Sequence, residues 1–166
     1  MEEGQFLGNY APYGYLKDPA CRHHLIVDRE TAPIVEKIYD LYLSGLSCKM
    51  IAERLTAESI PTPTQVKKQR GQDMGRKDCG KWSVGTVRKL LQNPVYLGHM
   101  AQGKEEKISF KEKKTRELPK NRWIVVENTH EAIIKQEIFD AVGRRMEQRR
   151  KSPSGTKNSP VIEIQK

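Results

Sequence analysis

The side chains best suited to contact another molecule lie in one short stretch, residues 83–92. Small, polar and basic residues share one helix face there: Ser83, Gly85, Thr86, Arg88, Lys89 and Gln92. The opposite face carries apolar residues at helical spacing, namely Val84, Val87, Leu90 and Leu91. A short helix with an apolar back and a small, basic front suits the major groove of DNA. The alternative is that the polar face meets only water, as in most amphipathic helices.

Arg88 is the strongest candidate for reading a base, because arginine can donate two parallel hydrogen bonds to a guanine edge. Thr86 and Gln92 are secondary candidates. Ser83 is predicted to cap the helix, since its hydroxyl can accept a hydrogen bond from an early backbone N–H. Pro94 ends the helix, because proline cannot continue it and drives the preceding residue out of the helical region. The sequence thus predicts a helix that is bounded at both ends.

The overall charge favours a polyanionic partner. The 166 residues include 30 lysines and arginines against 21 acidic residues, a formal net charge of +9, and the isoelectric point is about 9.5. Double-stranded DNA is the first such partner to consider and an acidic membrane surface the second. No apolar run is long enough to span a bilayer, and no signal peptide is recognisable. We therefore expect an intracellular protein with no membrane partner.

The segment Gln65–Lys81 is predicted as a long basic loop. It holds three glycines, two aspartates and six cationic residues: Lys67, Lys68, Arg70, Arg76, Lys77 and Lys81. Two interpretations are compatible, a solvated loop and a basic finger that neutralises phosphates and becomes ordered when DNA arrives. We assign Arg76, Lys77 and Lys81, together with Lys89, to phosphate contacts that position a protein without specifying sequence.

The elements that must position these residues are mainly helical. Apolar periodicity and capping residues predict three further helices, at about 28–44, 48–59 and 135–150. The first two are joined only by Gly45–Ser47, which is how a helix-turn-helix begins. Extended segments are expected at 25–27, 95–101, 107–111 and 122–127, with 107–111 pairing with 95–101 and a basic loop at 112–121. We predict an α+β fold, mainly helical: a helix-turn-helix-like helical core with a small antiparallel β-sheet and a long C-terminal helix.

Three tyrosines stand close together near the start of the chain. Tyr10, Tyr13 and Tyr15 surround Pro12 and Gly14, which impose an extended, turning backbone. We expect the tyrosines to pack this segment against the core. The alternative is a strap along a DNA backbone, with the tyrosine hydroxyl groups on phosphates.

No motif for a reaction centre is recognisable. The sequence has no glycine-rich phosphate loop, no His-Glu-x-x-His and no paired-carboxylate motif, so we expect no catalysis, no cofactor and no metal. His99 and His130 lie near the ends of predicted strands, and His130 with Glu127 or Glu131 suggests a general base. A hydrogen-bonded structural histidine explains the same residues. The three cysteines are far apart, and we expect reduced thiols rather than a zinc site or disulfides.

A set of motifs in a defined order covers about residues 8–150. These are Pro12–Tyr15, Ile26–Asp28 through Gly45, Ile51–Leu55, Ile60–Pro63, Trp82–Ser83, Asn93–Gly98 and Val126–Ile134 through Phe139. The order resembles the recombinase domain of large serine recombinases (serine integrases), most of all the members that move conjugative transposons and phages in Gram-positive bacteria.

The resemblance implies a parent protein with three parts. A resolvase-like domain with a serine nucleophile would precede this chain, and a zinc-ribbon domain with an embedded coiled coil would follow it. Residues 1–9 would then end the linker from the catalytic domain, 10–151 would form the DNA-binding recombinase domain, and 152–166 would be a linker or tail. Neither the catalytic serine nor the zinc cysteines have a counterpart here, and Ser83 is not that nucleophile. The fragment is therefore expected to bind DNA and catalyse nothing.

The resemblance also implies how DNA would be bound. The helix at 83–92 would lie in the major groove of one half of an attachment site, and the stretch before Pro12 would follow the minor groove. The sequence between Gly8 and Tyr15 has no arginine or lysine to support that second contact. The parent would work as a dimer or tetramer on DNA in the bacterial cytoplasm, associated with the nucleoid, while the fragment alone is expected to be a monomer.

Three other functions fit parts of the pattern. A free-standing winged-helix-like transcriptional regulator would use a hairpin at 96–111 as its wing. A basic interaction module would bind RNA or an acidic protein instead of DNA. A nuclease would need a carboxylate cluster for divalent metal, which the sequence does not show.

Overall fold

The computed structural model describes residues 6, 8, 10–72, 75, 77–102, 105–108, 111 and 114–151. Its helices are α1 (Ala32–Leu43), α2 (Cys48–Ala57), α3 (Pro63–Gln69), α4 (Val84–Gln92) and α5 (Gln136–Lys151). Its strands are β1 (Tyr15–Lys17), β2 (Leu25–Val27), β3 (Met100–Gln102), β4 (Glu105–Lys107), β5 (Thr115–Glu117) and β6 (Ile124–Val126). Pro94–Leu97 and Lys120–Arg122 form 3-10 turns. The predicted fold class, α+β and mainly helical, is confirmed.

Helices α1, α2, α4 and α5 pack around one hydrophobic core. Tyr39 of α1 and Tyr96 are fully buried within it, with ring centroids 6.3 Å apart. Their hydroxyl groups donate to main-chain carbonyls, Tyr39 to Leu90 at 2.9 Å and Tyr96 to Tyr13 at 2.8 Å. A buried polar group that loses its partner costs about 1–3 kcal/mol. The Tyr39 bond therefore holds the end of α4 against α1, and the Tyr96 bond holds the N-terminal segment against the 3-10 turn.

The predicted packing of the N-terminal tyrosines is confirmed for Tyr13 and Tyr15, which are both buried. Tyr13 donates its hydroxyl hydrogen to the carbonyl of Pro61 at 3.0 Å, and Tyr15 donates to that of Glu131 at 2.8 Å. Because these hydroxyl groups are already satisfied inside the protein, they do not contact phosphates. Tyr15 also lies in β1, which pairs antiparallel with β2.

The predicted β-sheet is wrong in its pairing and in part of its extent. Residues 94–97 form a 3-10 turn instead of a strand, because the Asn93 side chain accepts from the backbone N–H of Val95 at 3.2 Å. Gly98 then turns the chain with φ of 84°, where an added Cβ would meet the carbonyl oxygen of His130 at 2.6 Å. Strand β3 pairs with β6, and β4 with β5, so the described residues of 95–101 and 107–111 do not form the expected hairpin with each other. The expected loop at 112–121 contains β5.

The predicted loop at 65–81 is also wrong, since its first residues belong to α3. Thr62 and Gln65 form a reciprocal capping box: the Thr62 hydroxyl accepts from the backbone N–H of Gln65 at 3.2 Å, and the Gln65 side chain accepts from that of Thr62 at 2.9 Å. Pro63 begins the helix, where its missing N–H carries no penalty. Val66 is buried and fixes the helix to the core. Thr62 and Gln65 have the spacing of a capping box in the sequence, but Pro61 and Pro63 beside Thr62 favoured the prediction of a loop.

The basic residues at the end of α5 bind the end of α1 and the connection that follows it. The last turn of α1 contains no basic residue, and α5 supplies the missing donors. Arg145 donates to the carbonyl of Leu43 at 2.8 Å, and Arg149 donates to those of Gly45 at 2.8 Å and Leu46 at 3.2 Å. The bond to Leu43 satisfies a carbonyl that the end of a helix leaves without an intrahelical partner, and the other two fix the connection between α1 and α2.

His130 is a neutral side chain whose ring nitrogens both form hydrogen bonds within the protein. Its Nε2 atom lies 2.6 Å from the carbonyl oxygen of Val95, and its Nδ1 atom lies 2.7 Å from the hydroxyl of Thr129. Since a carbonyl only accepts, Nε2 carries the proton and donates it. The Thr129 hydroxyl lies between the Nδ1 atom and the carbonyl oxygen of Gly98, 3.3 Å from the latter. Burial lowers the pKa of His130. These contacts support the structural interpretation of this histidine over that of a general base.

We expect this histidine to make the fold less stable in mild acid. The unfolded chain binds a proton on His130 near pH 6.5, whereas folding lowers its pKa, so the free energy of unfolding falls as pH falls from about 6.5 to the folded pKa. In His130→Gln this loss should be smaller than in the wild type. Urea unfolding at about pH 7.5 and pH 5.5 measures the difference. An unchanged pH dependence in the variant would contradict the assignment.

Candidate nucleic-acid interface

Helix α4 is anchored along its buried face and at both ends. Val87, Leu90 and Leu91 are buried in the core. At the start, the hydroxyl oxygen of Ser83 accepts from the backbone N–H of Thr86 at 3.1 Å, as an N-cap does. The helix ends at Gln92, just before the 3-10 turn. The predicted helix and its boundaries are confirmed.

Trp82 fixes the direction in which α4 begins. Its indole N–H donates to the carbonyl of Ile60 at 2.8 Å, and its backbone N–H donates to the Thr56 hydroxyl in α2 at 3.0 Å. The indole ring is 6 % exposed and meets the ring of Tyr13 edge-on at 5.5 Å. Because Trp82, the residue before the cap, is held by α2 and by the N-terminal segment, the start of α4 is fixed relative to both.

The exposed face of α4 is open at its N-terminal end. Ser83, Gly85, Arg88 and Lys89 are exposed, while Thr86 and Gln92 are half-buried. An added Cβ at Gly85 would meet only the Ser83 hydroxyl oxygen, at 3.9 Å. An exposed helical glycine costs about 1 kcal/mol relative to alanine, so its use here has to be explained by something other than helix stability. Close approach of another molecule is such an explanation.

Arg88 lies apart from Thr86, on the side of α4 that faces α2 and α5. It lines a groove of about 530 Å³ together with Cys48 and Lys49 of α2 and with Arg149 and Arg150 of α5. Burial raises the pKa of the Cys48 thiol, although the charges of Arg88 and Arg149 act in the opposite direction. Cys48 is therefore a neutral neighbour of Arg88 at neutral pH, and it does not balance the charge of the guanidinium.

The C-terminal end of α4 has an acidic neighbour. Lys89, Gln92 and Asn93 line a second groove, of about 400 Å³, whose far wall includes Glu105 of β4 and Glu117 of β5. The two glutamates are direct cross-strand partners, an arrangement in which like charges repel. The carboxylates disfavour a DNA phosphate at this end, so the N-terminal half of α4 is the better place for DNA to approach.

The predicted basic segment divides into residues with different environments. Lys68, Lys77 and Lys81 are exposed, as phosphate contacts require. The ammonium group of Lys67 lies 5.6 Å from the ring centroid of Tyr10. Arg76, also predicted to contact phosphate, lies outside the described residues.

Arg70 is engaged inside the protein. One guanidinium nitrogen lies 2.6 Å from a carboxylate oxygen of Asp28 and 3.2 Å from one of Glu30. Asp28 is buried, so this ion pair joins the end of α3 to the start of α1. The geometry favours a structural role for Arg70 over the predicted phosphate contact.

Two cationic residues next to Arg88 were not predicted as binding residues. Lys49 lies 39 positions before Arg88 and Arg150 lies 62 positions after it, so their spacing gives no signal. Within the ranges that the structure describes, no group of three or more His, Cys, Asp or Glu residues is placed to hold a metal ion. In the same ranges, no helix is long and apolar enough to cross a membrane. Cys21, Cys48 and Cys79 are free thiols.

Comparisons with known proteins agree with the ordered motifs. The model of a family described as Recombinase matches residues 29–149. The uncharacterized protein YefB of Bacillus subtilis (strain 168) is 30% identical over 82 residues, which cover 49% of this chain and 25% of YefB. The chain thus spans about a quarter of this relative's length.

Two solved structures share the fold. One is described as a crystal structure of an LSR–DNA complex, with a TM-score of 0.56 and 21% identity over 95% of this chain and 39% of that one. The other, from work on the sequence requirements of the Listeria innocua prophage attP site, has a TM-score of 0.56 and 22% identity over 95% of this chain and 52% of that one. Because the family model covers well over half of the sequence and agrees with the resemblance found in its motifs, the chain belongs to the Recombinase family.

Proposed function

We propose that this domain binds double-stranded DNA sequence-specifically, with α4 in the major groove of one half of an attachment site. The observation that carries the proposal is the open front of α4 at Gly85, where an added Cβ would meet only the Ser83 hydroxyl oxygen among the residues that the structure describes. The net charge of +9 supplies the electrostatic attraction. Family membership, together with the description of one structural neighbour as a DNA complex, supports DNA binding in recombination.

We also propose that the chain works as the middle, DNA-binding part of a longer site-specific recombinase that integrates or excises a mobile element. The chain covers 25% of YefB and 39% and 52% of the two structural neighbours, and this partial coverage supports the proposal. On this proposal the fragment itself is monomeric and catalyses nothing, while the parent is a dimer or tetramer on DNA in the bacterial cytoplasm. The use of His130 in internal hydrogen bonds supports a non-catalytic role.

The proposal is tested by selecting duplexes from a randomised pool with this chain and measuring affinity against scrambled DNA over a range of salt. We expect the selected duplex to bind at least about ten times more tightly than the scrambled one, a smaller ratio than complete proteins reach. The slope of log K against log salt should be about −0.9 for each phosphate contacted. Selection of no common sequence, with equal affinity for both duplexes, would contradict sequence-specific binding.

Structured RNA of matched length is the control for the alternative of a basic RNA-binding module. Stronger binding to that RNA than to the selected duplex would favour the alternative. The winged-helix alternative is weakened, since β3 pairs with β6 and β4 with β5 instead of with each other as the predicted 96–111 wing requires.

A further inference from the structure

A groove beside α4 has the charge and the position of a binding site for the DNA backbone. It has a volume of about 530 Å³, and three elements form its walls: the start of α2, one side of α4 and the end of α5. Lys49, Arg88, Arg149 and Arg150 line it, and no carboxylate does. Basic residues from three separate elements thus converge on one surface that adjoins the helix proposed to enter the major groove.

One of these four residues is committed to the fold and gives the groove its shape. Arg149 donates to the carbonyls of Gly45 and Leu46, and its guanidinium lies 4.8 Å from the ring centroid of Tyr42. It is therefore held as part of the wall. Its positive charge remains, because main-chain carbonyls and an aromatic ring do not neutralise a guanidinium.

The other three residues keep charge that the protein does not balance. Among the described residues, Arg88 and Arg150 form no ion pair with a carboxylate, and the Cys48 thiol beside Arg88 is neutral because burial raises its pKa. Lys49 has only a 4.0 Å approach to Glu53, with both side chains more than 60 % exposed, and such a surface pair contributes little. The groove also opens at the N-terminal turn of α2, which carries partial positive charge.

We propose that this groove holds a phosphate of the DNA backbone next to α4, with Lys49, Arg88 and Arg150 as its ligands. The proposal rests on the proposed function and assigns Arg88 differently from the sequence-based prediction, which had it reading a base. Arg88 then positions α4 through the backbone, and bases are left to the open edge that includes Gly85 and Thr86. Duplex DNA is the occupant we commit to, because the groove adjoins the proposed groove-binding helix.

The test compares Lys49→Gln, Arg88→Gln and Arg150→Gln in the salt-titrated assay, on the selected and the scrambled duplex. Each substitution removes one phosphate ligand, so we expect the slope to become shallower by about 0.9 at most. At low salt the affinity should fall by a similar factor on both duplexes, because a phosphate contact carries no sequence information. The selectivity for the chosen duplex should therefore be unchanged.

Arg144→Gln is the matched control. Arg144 is an exposed arginine on the same helix, but it lines a different groove that contains no residue of α2 or α4. We expect a smaller change in slope than for Arg150→Gln. An equal change would overturn the groove assignment, since any cation on α5 would then act alike.

The other outcomes separate this proposal from the proposed function. If the wild type prefers the selected duplex while the three groove variants keep its slope and affinity, the groove proposal fails and the function stands. If the variants lose affinity only for the selected duplex, these residues read bases and the groove proposal fails. If the wild type binds the selected and the scrambled duplex equally, the proposed function fails. The groove proposal is then judged by whether the groove variants have a shallower salt slope than the wild type on scrambled DNA. No binding at low salt overturns both.

Discussion

Gly85→Leu is expected to abolish the preference for a selected DNA sequence without damaging the fold. The backbone of Gly85 is helical, and a Cβ there meets only the Ser83 hydroxyl oxygen at 3.9 Å, so leucine is accommodated in the free protein. Leucine favours a helix by up to about 1 kcal/mol over glycine, so the free energy of unfolding should stay equal or rise. On DNA, the same side chain would occupy the space that a base pair needs in the proposed complex.

The expected loss is at least about tenfold in affinity for the selected duplex, or about 1.4 kcal/mol, with a smaller loss on scrambled DNA. Binding curves on both duplexes and urea unfolding of the free protein measure the two effects. This separation is informative because few substitutions stabilise a protein while removing its binding.

Gly143→Leu provides the matched control. Gly143 is the other exposed glycine inside a described helix, and a Cβ added there would meet no described atom within 4 Å apart from the backbone of its own helix. The same gain in helix propensity is expected, with DNA affinity close to that of the wild type. If Gly85→Leu also bound as the wild type does, the front of α4 would face water and the proposed docking would be wrong.

Asp28→Ala is expected to destabilise the fold by about 3 kcal/mol, because it removes a buried charged acceptor of three hydrogen bonds, from the Glu30 amide, the Thr31 hydroxyl and Arg70. Asp28 is 3 % exposed and accepts hydrogen bonds from the Thr31 hydroxyl at 2.6 Å and from Arg70 at 2.6 Å. Thr31 in turn accepts from the backbone N–H of Gly14 at 3.0 Å. One carboxylate thus ties together the end of α3, the start of α1 and the segment before β1, and urea unfolding measures its contribution.

Arg70→Ala should change how stability depends on pH. Burial by itself raises the pKa of Asp28, but the hydrogen bonds from Thr31, Arg70 and the Glu30 amide outweigh it and lower that pKa. A carboxyl group whose pKa falls on folding stabilises the protein above its unfolded pKa of about 3.9, and this contribution disappears as pH falls through the folded pKa. Without Arg70 the opposing burial effect gains weight, so the loss should begin at higher pH.

Unfolding by urea from about pH 7 down to pH 3 measures this difference. The result also bears on Arg70 as a predicted DNA contact. If the variant unfolds at the wild-type urea concentration at every pH but binds DNA less tightly, the result would support the prediction that Arg70 contacts a phosphate. A variant with the altered pH profile and wild-type affinity for DNA, measured at neutral pH, would establish the ion pair as its role.

The parts of the protein that could be predicted from sequence are those with local causes. Helix α4 has its cap at Ser83, its stop at Pro94 and a buried stripe at helical spacing, and all three signals lie within 12 residues. In the same way, Gly45 follows the end of α1 and Ser47 caps the start of α2. Helix α3 has an equally local signal in the capping-box pair Thr62 and Gln65.

The sheet and the groove have causes that are distant in sequence. Strand β3 pairs with β6, more than 20 residues away, instead of with β4, which follows it directly. Two short runs that alternate in the same way offer no local preference for one pairing, so the register depends on which strands the folded core brings together. Strands β5 and β6 are also mostly exposed, so they lack the alternation of buried and exposed residues that identifies a strand in a sequence.

The sequence by itself determined that the protein is basic, that α4 carries a small, polar front, and that the order of its motifs is that of the Recombinase family. Composition belongs to the sequence as a whole, and helical period and capping depend on residues close in the chain. All three can therefore be recognised without knowledge of the fold. Only the tertiary structure decided which cations meet. Packing of α5 against α1 and α4 brings Arg150 to Arg88 and Lys49, while the buried carboxylate of Asp28 engages Arg70, because side chains far apart in sequence become neighbours only when the helices pack.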